Sequence, residues 1–289
     1  RKWVNWFLPA MANSESLNFN YIHAGQENSF GWKSIKKGLT MQIEIIRELA
    51  DKGLFRVETL GESGRWYKEN FKVTPPTSVT VPDDYRGKDI SSVWFNSRYY
   101  RAGLLWNKKD FVIRDIHMFD AEVESDYLRK AGTTSYCEYI TPPFVDGFLW
   151  STAKEKAGLR LVAMNEDGSV KAVPVTSHTC RKGADDVLAV NCETEYGQFQ
   201  LLFKEDAMTV TLQPMQGAAP VKWALEFTAI KTDDLPFTKI SAKAISATHR
   251  GYDYDVRLLK GNFKSADASF ANWHIIPENN TVVLSGVLD

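Results

Sequence analysis

No run in this sequence approaches the roughly 18 consecutive apolar residues of a membrane span, and no stretch has the layout of a signal peptide. A charge of one sign is also missing. Lys and Arg total 35 against 36 Asp and Glu in 289 residues, so no net field favours nucleic acid or an anionic membrane, and neither is expected as a partner. Cysteine is scarce: Cys137, Cys180 and Cys192 show no metal-ligand spacing. Cys180 and Cys192 flank the turn Arg181-Lys182-Gly183-Ala184-Asp185-Asp186 and read either as a disulfide across a hairpin or as buried free thiols. The five histidines, His23, His117, His178, His249 and His274, include no pair at i, i+3 or i+4. GxGxxG, P-loop, HExxH, GxSxG and paired CxxC motifs are absent, so nucleotide-dependent and zinc-protease chemistry have no support; no cofactor and no metal are expected. Internal repeats and low-complexity tracts are absent too.

What the chain does have is length and aromatic residues. Its 289 residues can bury a large core, and at about 100–200 residues per domain they suggest two domains. Nine Trp, eleven Tyr and sixteen Phe suit packing in β-domains, with a few left to stack on sugars. The chain starts Arg1-Lys2-Trp3, without Met, and an upstream segment is expected.

The texture changes at Thr74-Pro75-Pro76-Thr77. Before it, residues 1–17 show no clean period. Asn18–His23 reads as a short buried strand that delivers His23, Gly25, Gln26 and Glu27 into a polar loop. From Trp32 to Lys52, Ile35, Leu39, Ile43, Ile46 and Leu49 fall three and four apart, giving one face of a helix stopped by Gly53. Phe55–Leu60 alternates and reads as a second strand, parallel to the first across a right-handed crossover. After Thr74 no long amphipathic helix is found. Strand-like runs such as SVWFNSRYYRAGLLW, DFVIRDIHMF, GQFQLLFKE and VKWALEFTAI alternate with turns, the punctuation of an antiparallel β-sandwich. Within the irregular stretch 120–150, DAEVESDYL suggests one helical turn.

Tyr21-Ile22-His23, Thr40 in the helix, Asp51-Lys52-Gly53 and Glu58-Thr59-Leu60-Gly61-Glu62 together resemble the C-terminal end of the polysaccharide deacetylase and glycosidase-type (β/α) barrels. Joined to a β-sandwich, the chain looks similar to uncharacterised secreted bacterial proteins. The likeness covers about forty-five residues. It implies a multidomain α+β chain: residues 1–75 as the C-terminal part of a barrel and residues 76–289 as a large β-sandwich, with the boundary near residues 72–90. It also implies a secreted or periplasmic protein. The family's Asp pair and His-x-x-x-His metal motif have no counterpart here; only the late His transfers, to His23.

His23 is the leading candidate, because a strand-end imidazole can protonate a leaving group or stabilise an oxyanion; the alternative is a hydrogen-bonded structural His. Glu27 would orient that ring or bind sugar hydroxyls, unless it is a solvated loop residue. Glu58 and Glu62 could supply the carboxylate pair of glycoside hydrolysis, although a helix-capping role suits Glu62 better. Arg65 and Trp66 offer a guanidinium and a stacking ring, while Arg98 and Arg101 belong to a dense cluster with Trp94, Arg114, Asp115 and His117. That cluster reads chiefly as a solvated face or interdomain ion-pair network, and otherwise as the polar wall of a cleft.

The function expected is that of a carbohydrate-active protein hydrolysing a polysaccharide or oligosaccharide at a barrel's C-terminal face, with His23, Glu58 and Glu62 catalytic and Glu27, Arg65, Trp66, Arg98 and Arg101 on the substrate. The alternative is a non-catalytic carbohydrate-binding or structural module with a degenerate barrel. A sandwich-cleft isomerase or epimerase is a weaker third.

Overall fold

The computed structural model describes residues 2–25, 29–135, 141–217, 220–266 and 269–288. Three helices come first: α1 (Lys2–Asn13), α2 (Trp32–Asp51) and α3 (Leu60–Asn70). After them run β1 (Thr77–Val81), β2 (Ile90–Asn96), β3 (Tyr100–Asn107), β4 (Asp110–Met118), the single turn α4 (Asp126–Arg129), β5 (Pro143–Asp146), β6 (Gly158–Met164), β7 (Val170–Ala172) and β8 (Ser177–Lys182). The remainder is β9 (Leu188–Thr194), β10 (Gly197–Phe203), β11 (Ala207–Pro214), β12 (Trp223–Thr228), β13 (Phe237–Ile240), β14 (Ala244–His249), β15 (Tyr252–Lys260), β16 (Asn262–Ser265), β17 (Asn272–Ile276) and β18 (Thr281–Ser285).

The strands build two antiparallel sheets that pack as a β-sandwich. The larger runs β1-β2-β3-β4-β6-β12-β17-β16, with β5 added to β4 and β7 to β6; the smaller runs β13-β14-β15-β18-β11-β10-β9-β8. Alternation in the sequence sets the faces: Val93 and Phe95 of β2 and Phe199, Leu201 and Phe203 of β10 point into one core. Across the layers Phe95 meets Phe203 at 5.6 Å between ring centroids, and Phe199 meets Trp223 edge-on at 5.0 Å. A Tyr100 hydroxyl reaches the backbone carbonyls of Lys204 and Ala207 on the opposite layer, at 2.9 and 3.0 Å.

The run SVWFNSRYYRAGLLW is two strands, not one. Ser97 turns the chain, its Oγ accepting from the N–H groups of Tyr99 and Tyr100 at 3.1 and 3.2 Å. This hairpin puts Tyr100 in the core and Arg101 on the outer face, where Trp94 lies opposite Gly103. Cys180 and Cys192 are free. Across the β8–β9 hairpin Cys180 pairs with Val190 and Cys192 with His178, so the register keeps the two sulfurs from opposing each other. Burial pushes the Cys192 thiol up to about 12.

The helical part departs from the barrel expected over residues 1–75. Asn18–His23 and Phe55–Leu60 are not strands; among the described residues no strand precedes Thr77. The physical reason at the second stretch is a capping box. Thr59 Oγ1 accepts from Glu62 N at 3.3 Å while Glu62 Oε2 accepts from Thr59 N at 2.7 Å, and this reciprocal pair starts α3 at Leu60. A helix nucleus thus takes the residues that the alternation assigned to a strand's end. Where α2 is concerned the three-four spacing is realised over Trp32–Asp51.

The helices are tied to the sandwich by specific bonds. Leu17 is fully buried within the sandwich core, its N–H donating to Ser78 Oγ at 2.8 Å. Asn18 Nδ2 donates to Pro76 O at 2.7 Å, and Trp6 Nε1 donates to Asp83 Oδ1 at 3.2 Å.

Candidate functional site

Between the helices lies an open cleft of about 720 Å³, bordered by α1, the end of α2, the start of α3 and the two irregular stretches 18–24 and 54–59. His23 and Glu58, chosen from the sequence on separate grounds, both line it, as does Trp66. His23 is exposed, and its ring folds back beside Gly25, where an added Cβ would lie 3.1 Å from Nε2. Glu58 keeps only 24% of its side chain exposed and is held from two sides. Arg56 Nε stands 3.4 Å from its Oε1, and Ser63 Oγ donates to its Oε2 at 3.0 Å. Trp66 is edge-on to Phe19 at 5.5 Å, with the Arg56 guanidinium 5.4 Å from its ring centre.

The remaining sequence candidates are placed differently. Glu62 serves the α3 capping box, and the bonds from the Thr59 backbone and hydroxyl hold its carboxyl below the usual range. Arg65 is exposed on α3 and does not border the cleft. Arg98 pairs with Glu205 at 2.9 Å and lies over the Tyr99 ring at 4.6 Å. Glu27 lies outside the described residues, as does Cys137. Sequence reading missed Arg56, Asn18 and Asn20, all on the cleft wall. Only their closeness to His23 and Glu58 in the chain could have signalled them.

Arg101, on β3, belongs to a second, more enclosed cluster with residues of β4 and β5. It donates to Asp115 through Nε at 2.8 Å and Nη2 at 3.3 Å, a two-pronged bond to a fully buried carboxylate. His117 binds Thr141 Oγ1 through Nδ1 at 3.1 Å. Its Nε2 faces Asp115 at 3.7 Å and Asp146 at 3.5 Å. Asp146 Oδ1 accepts from the N–H groups of Phe148 and Leu149 at 2.9 and 2.8 Å. Burial works against its charge, but the His117 contact and those two N–H groups outweigh it and lower its pKa. Arg114, beside this cluster, lies 3.8 Å over the Phe148 ring. Asp115, His117 and Asp146 are all buried, so the cluster ties strands together and offers little open surface to a ligand. Asp146 escaped the sequence reading because it sits in the irregular stretch, though its Asp-Gly step was a turn signal.

Among the described residues no group of three or more His, Cys, Asp or Glu is arranged to hold a metal ion, and no helix is long and apolar enough to cross a membrane. No family model, no curated protein and no solved structure matches the chain.

Proposed function

We propose that this is a carbohydrate-active protein that binds an oligosaccharide or polysaccharide in the cleft between its helices. The observation that carries the reading is the convergence of His23, Glu58, Arg56 and Trp66 on one open cleft. A carboxylate, an imidazole, a guanidinium and side-chain amides from Asn18 and Asn20 complement sugar hydroxyls, and an aromatic ring complements the apolar face of a pyranose. Binding is favoured over glycoside hydrolysis by the engagement of Glu62. Two free carboxylates are needed to hydrolyse a glycosidic bond by the usual route, and Glu62 is committed to its helix cap.

Hydrolysis is the second reading, favoured by His23 and Glu58 lining the same cleft. In it His23, which the barrel resemblance places beside the substrate, donates a proton to the leaving group, and Glu58, as a carboxylate of glycoside hydrolysis, orients or activates water. A secreted or periplasmic location suits either reading, since that is where such polymers are met.

Calorimetric titration with a panel of oligosaccharides tests the proposal. Binding should weaken at least tenfold in Trp66→Ala. Absence of binding across the panel overturns it. Assays of reducing-end and acetate release then separate the two readings: a rate lowered about a hundredfold or more in His23→Ala and Glu58→Gln supports hydrolysis, and no turnover in the native protein leaves binding alone.

A further inference from the structure

One group on the cleft wall keeps hydrogen-bonding capacity that the protein itself leaves unused. Among the residues lining the cleft Glu58 is the single acid, and Arg56 and His23 are the basic groups. Glu58 is already served, since Ser63 Oγ donates to its Oε2 at 3.0 Å and Arg56 Nε faces its Oε1 at 3.4 Å. Arg56 is not. Its ion pair turns Nε toward Glu58 at more than the usual hydrogen-bond length of about 2.7–3.2 Å, and no described residue accepts a hydrogen bond from its guanidinium. The group is held in place all the same. Its Cζ lies 5.4 Å from the centre of the Trp66 ring, and that ring is set edge-on against Phe19 and Phe71 at 5.5 Å each. The Arg56 side chain is 68% exposed, so its free N–H groups are open to a ligand in the cleft.

A guanidinium presents its N–H donors as a planar fork and accepts nothing. A neutral sugar uses such a fork poorly, because each hydroxyl takes one N–H and water competes for it on equal terms. A carboxylate or a sulfate takes two N–H groups at once, through charge-assisted bonds roughly twice as strong as neutral ones. Contact with the Trp66 ring restrains the fork before a ligand arrives, which lowers the ordering cost of binding. We infer that the glycan taken by this cleft is anionic, and that Arg56 receives a uronate carboxylate or a sulfate ester of the sugar on the Nη edge of its guanidinium. This rests on the glycan reading of the cleft and names the class of sugar within it. Neutral sugars still meet His23, Glu58, Asn18 and Asn20 through their hydroxyls, but bind more weakly.

The test is calorimetric titration of the whole chain with galacto-, gluco- and manno-oligosaccharides. Each is offered as the neutral sugar, the uronic acid and the uronate methyl ester, and a sulfated galacto-oligosaccharide is added to the set. In at least one series the anionic sugar should bind about tenfold or more tightly than its uncharged counterparts. That preference should vanish in Arg56→Gln and shrink in Arg56→Lys, which keeps the charge without the fork. It should also fade with added salt, while binding of the neutral sugar does not. A preference carried by the sulfated sugar and lost in Arg56→Gln supports the inference equally and assigns the anion as a sulfate ester; one carried by the acid assigns it as a carboxylate. Anionic sugars that bind no more tightly than neutral ones overturn the inference, and so does a preference for anions that survives Arg56→Gln. Either result leaves the glycan reading standing where neutral sugars bind and Trp66→Ala weakens them. Absence of binding by every member of the set overturns the glycan reading and the inference with it.

Discussion

The N–H of Leu17 donates to the hydroxyl of Ser78 at 2.8 Å, and neither residue is exposed to solvent. This bond joins the end of the helical segment to the first strand of the sandwich, with the Leu17 side chain inside the sandwich core. Ser78→Ala would leave a buried N–H unpaired and should cost about 1–3 kcal/mol. Leu17→Ala should cost about 2–5 kcal/mol through lost burial and the cavity left behind. Urea unfolding of both variants checks this. A Leu17→Ala variant as stable as the native protein would show that the Leu17 side chain contributes nothing to the sandwich core.

The Thr59–Glu62 capping box makes a local and pH-dependent claim. Thr59→Ala should cost about 0.5–2 kcal/mol of α3 stability. The Glu62 carboxyl has a lower pKa in the folded chain because of its bonds to the Thr59 backbone and side chain. Its contribution is therefore complete at neutral pH and is lost as pH falls through the depressed value, below the ordinary carboxylate range. Amide exchange along Leu60–Asn70 should rise at acid pH in the native protein, and should depend less on pH in Glu62→Gln.

The same two residues show how far the sequence could be read. Thr59-x-x-Glu62 is a helix-start signature, and the capping role of Glu62 was legible from it. The start of the helix was not, because Phe55–Leu60 alternates like a strand and alternation alone does not reveal whether a neighbouring strand exists to pair with it. The sandwich was legible since its alternation recurs strand after strand with turns between. Where Ser97 reversed the chain between Trp94 and Tyr100, the signal was a single hydroxyl, too local to break an aromatic-rich run. His23 and Glu58 were legible as candidates one at a time. That they share a cleft was not, because their meeting depends on how the helices between them pack.

On the outer face of the larger sheet, Arg101 neutralises the fully buried Asp115. Arg101→Met should destabilise the chain by about 2–3 kcal/mol, less than for a fully buried pair since the Arg side chain is 35% exposed. Asp115→Asn in the same background should recover part of that loss, as it removes the stranded charge. Failure of the double variant to recover any stability, measured by denaturant unfolding, would contradict the pairing.

Gly103 leaves no room for a side chain: an added Cβ would stand 2.9 Å from the Trp94 ring and 3.2 Å from Asp115 Cβ. Gly103→Ala should cost about 1–3 kcal/mol by overpacking. Trp94→Ala should relieve it, so the two changes should be non-additive in a double-mutant cycle. Additive losses would show that the ring is not what fills the space above Gly103.

The central claim, that the cleft holding His23, Glu58 and Trp66 is the ligand site, is tested most directly by NMR titration of the isotope-labelled chain with cello-, chito- and xylo-oligosaccharides. The expected result is saturable shifts of the His23 ring, the Trp66 indole N–H and the Glu58 amide by at least one sugar, with the Arg101 and Asp146 signals unmoved. Signals at the cleft that stay fixed at millimolar sugar, or shifts confined to the sandwich around Arg101, would contradict it.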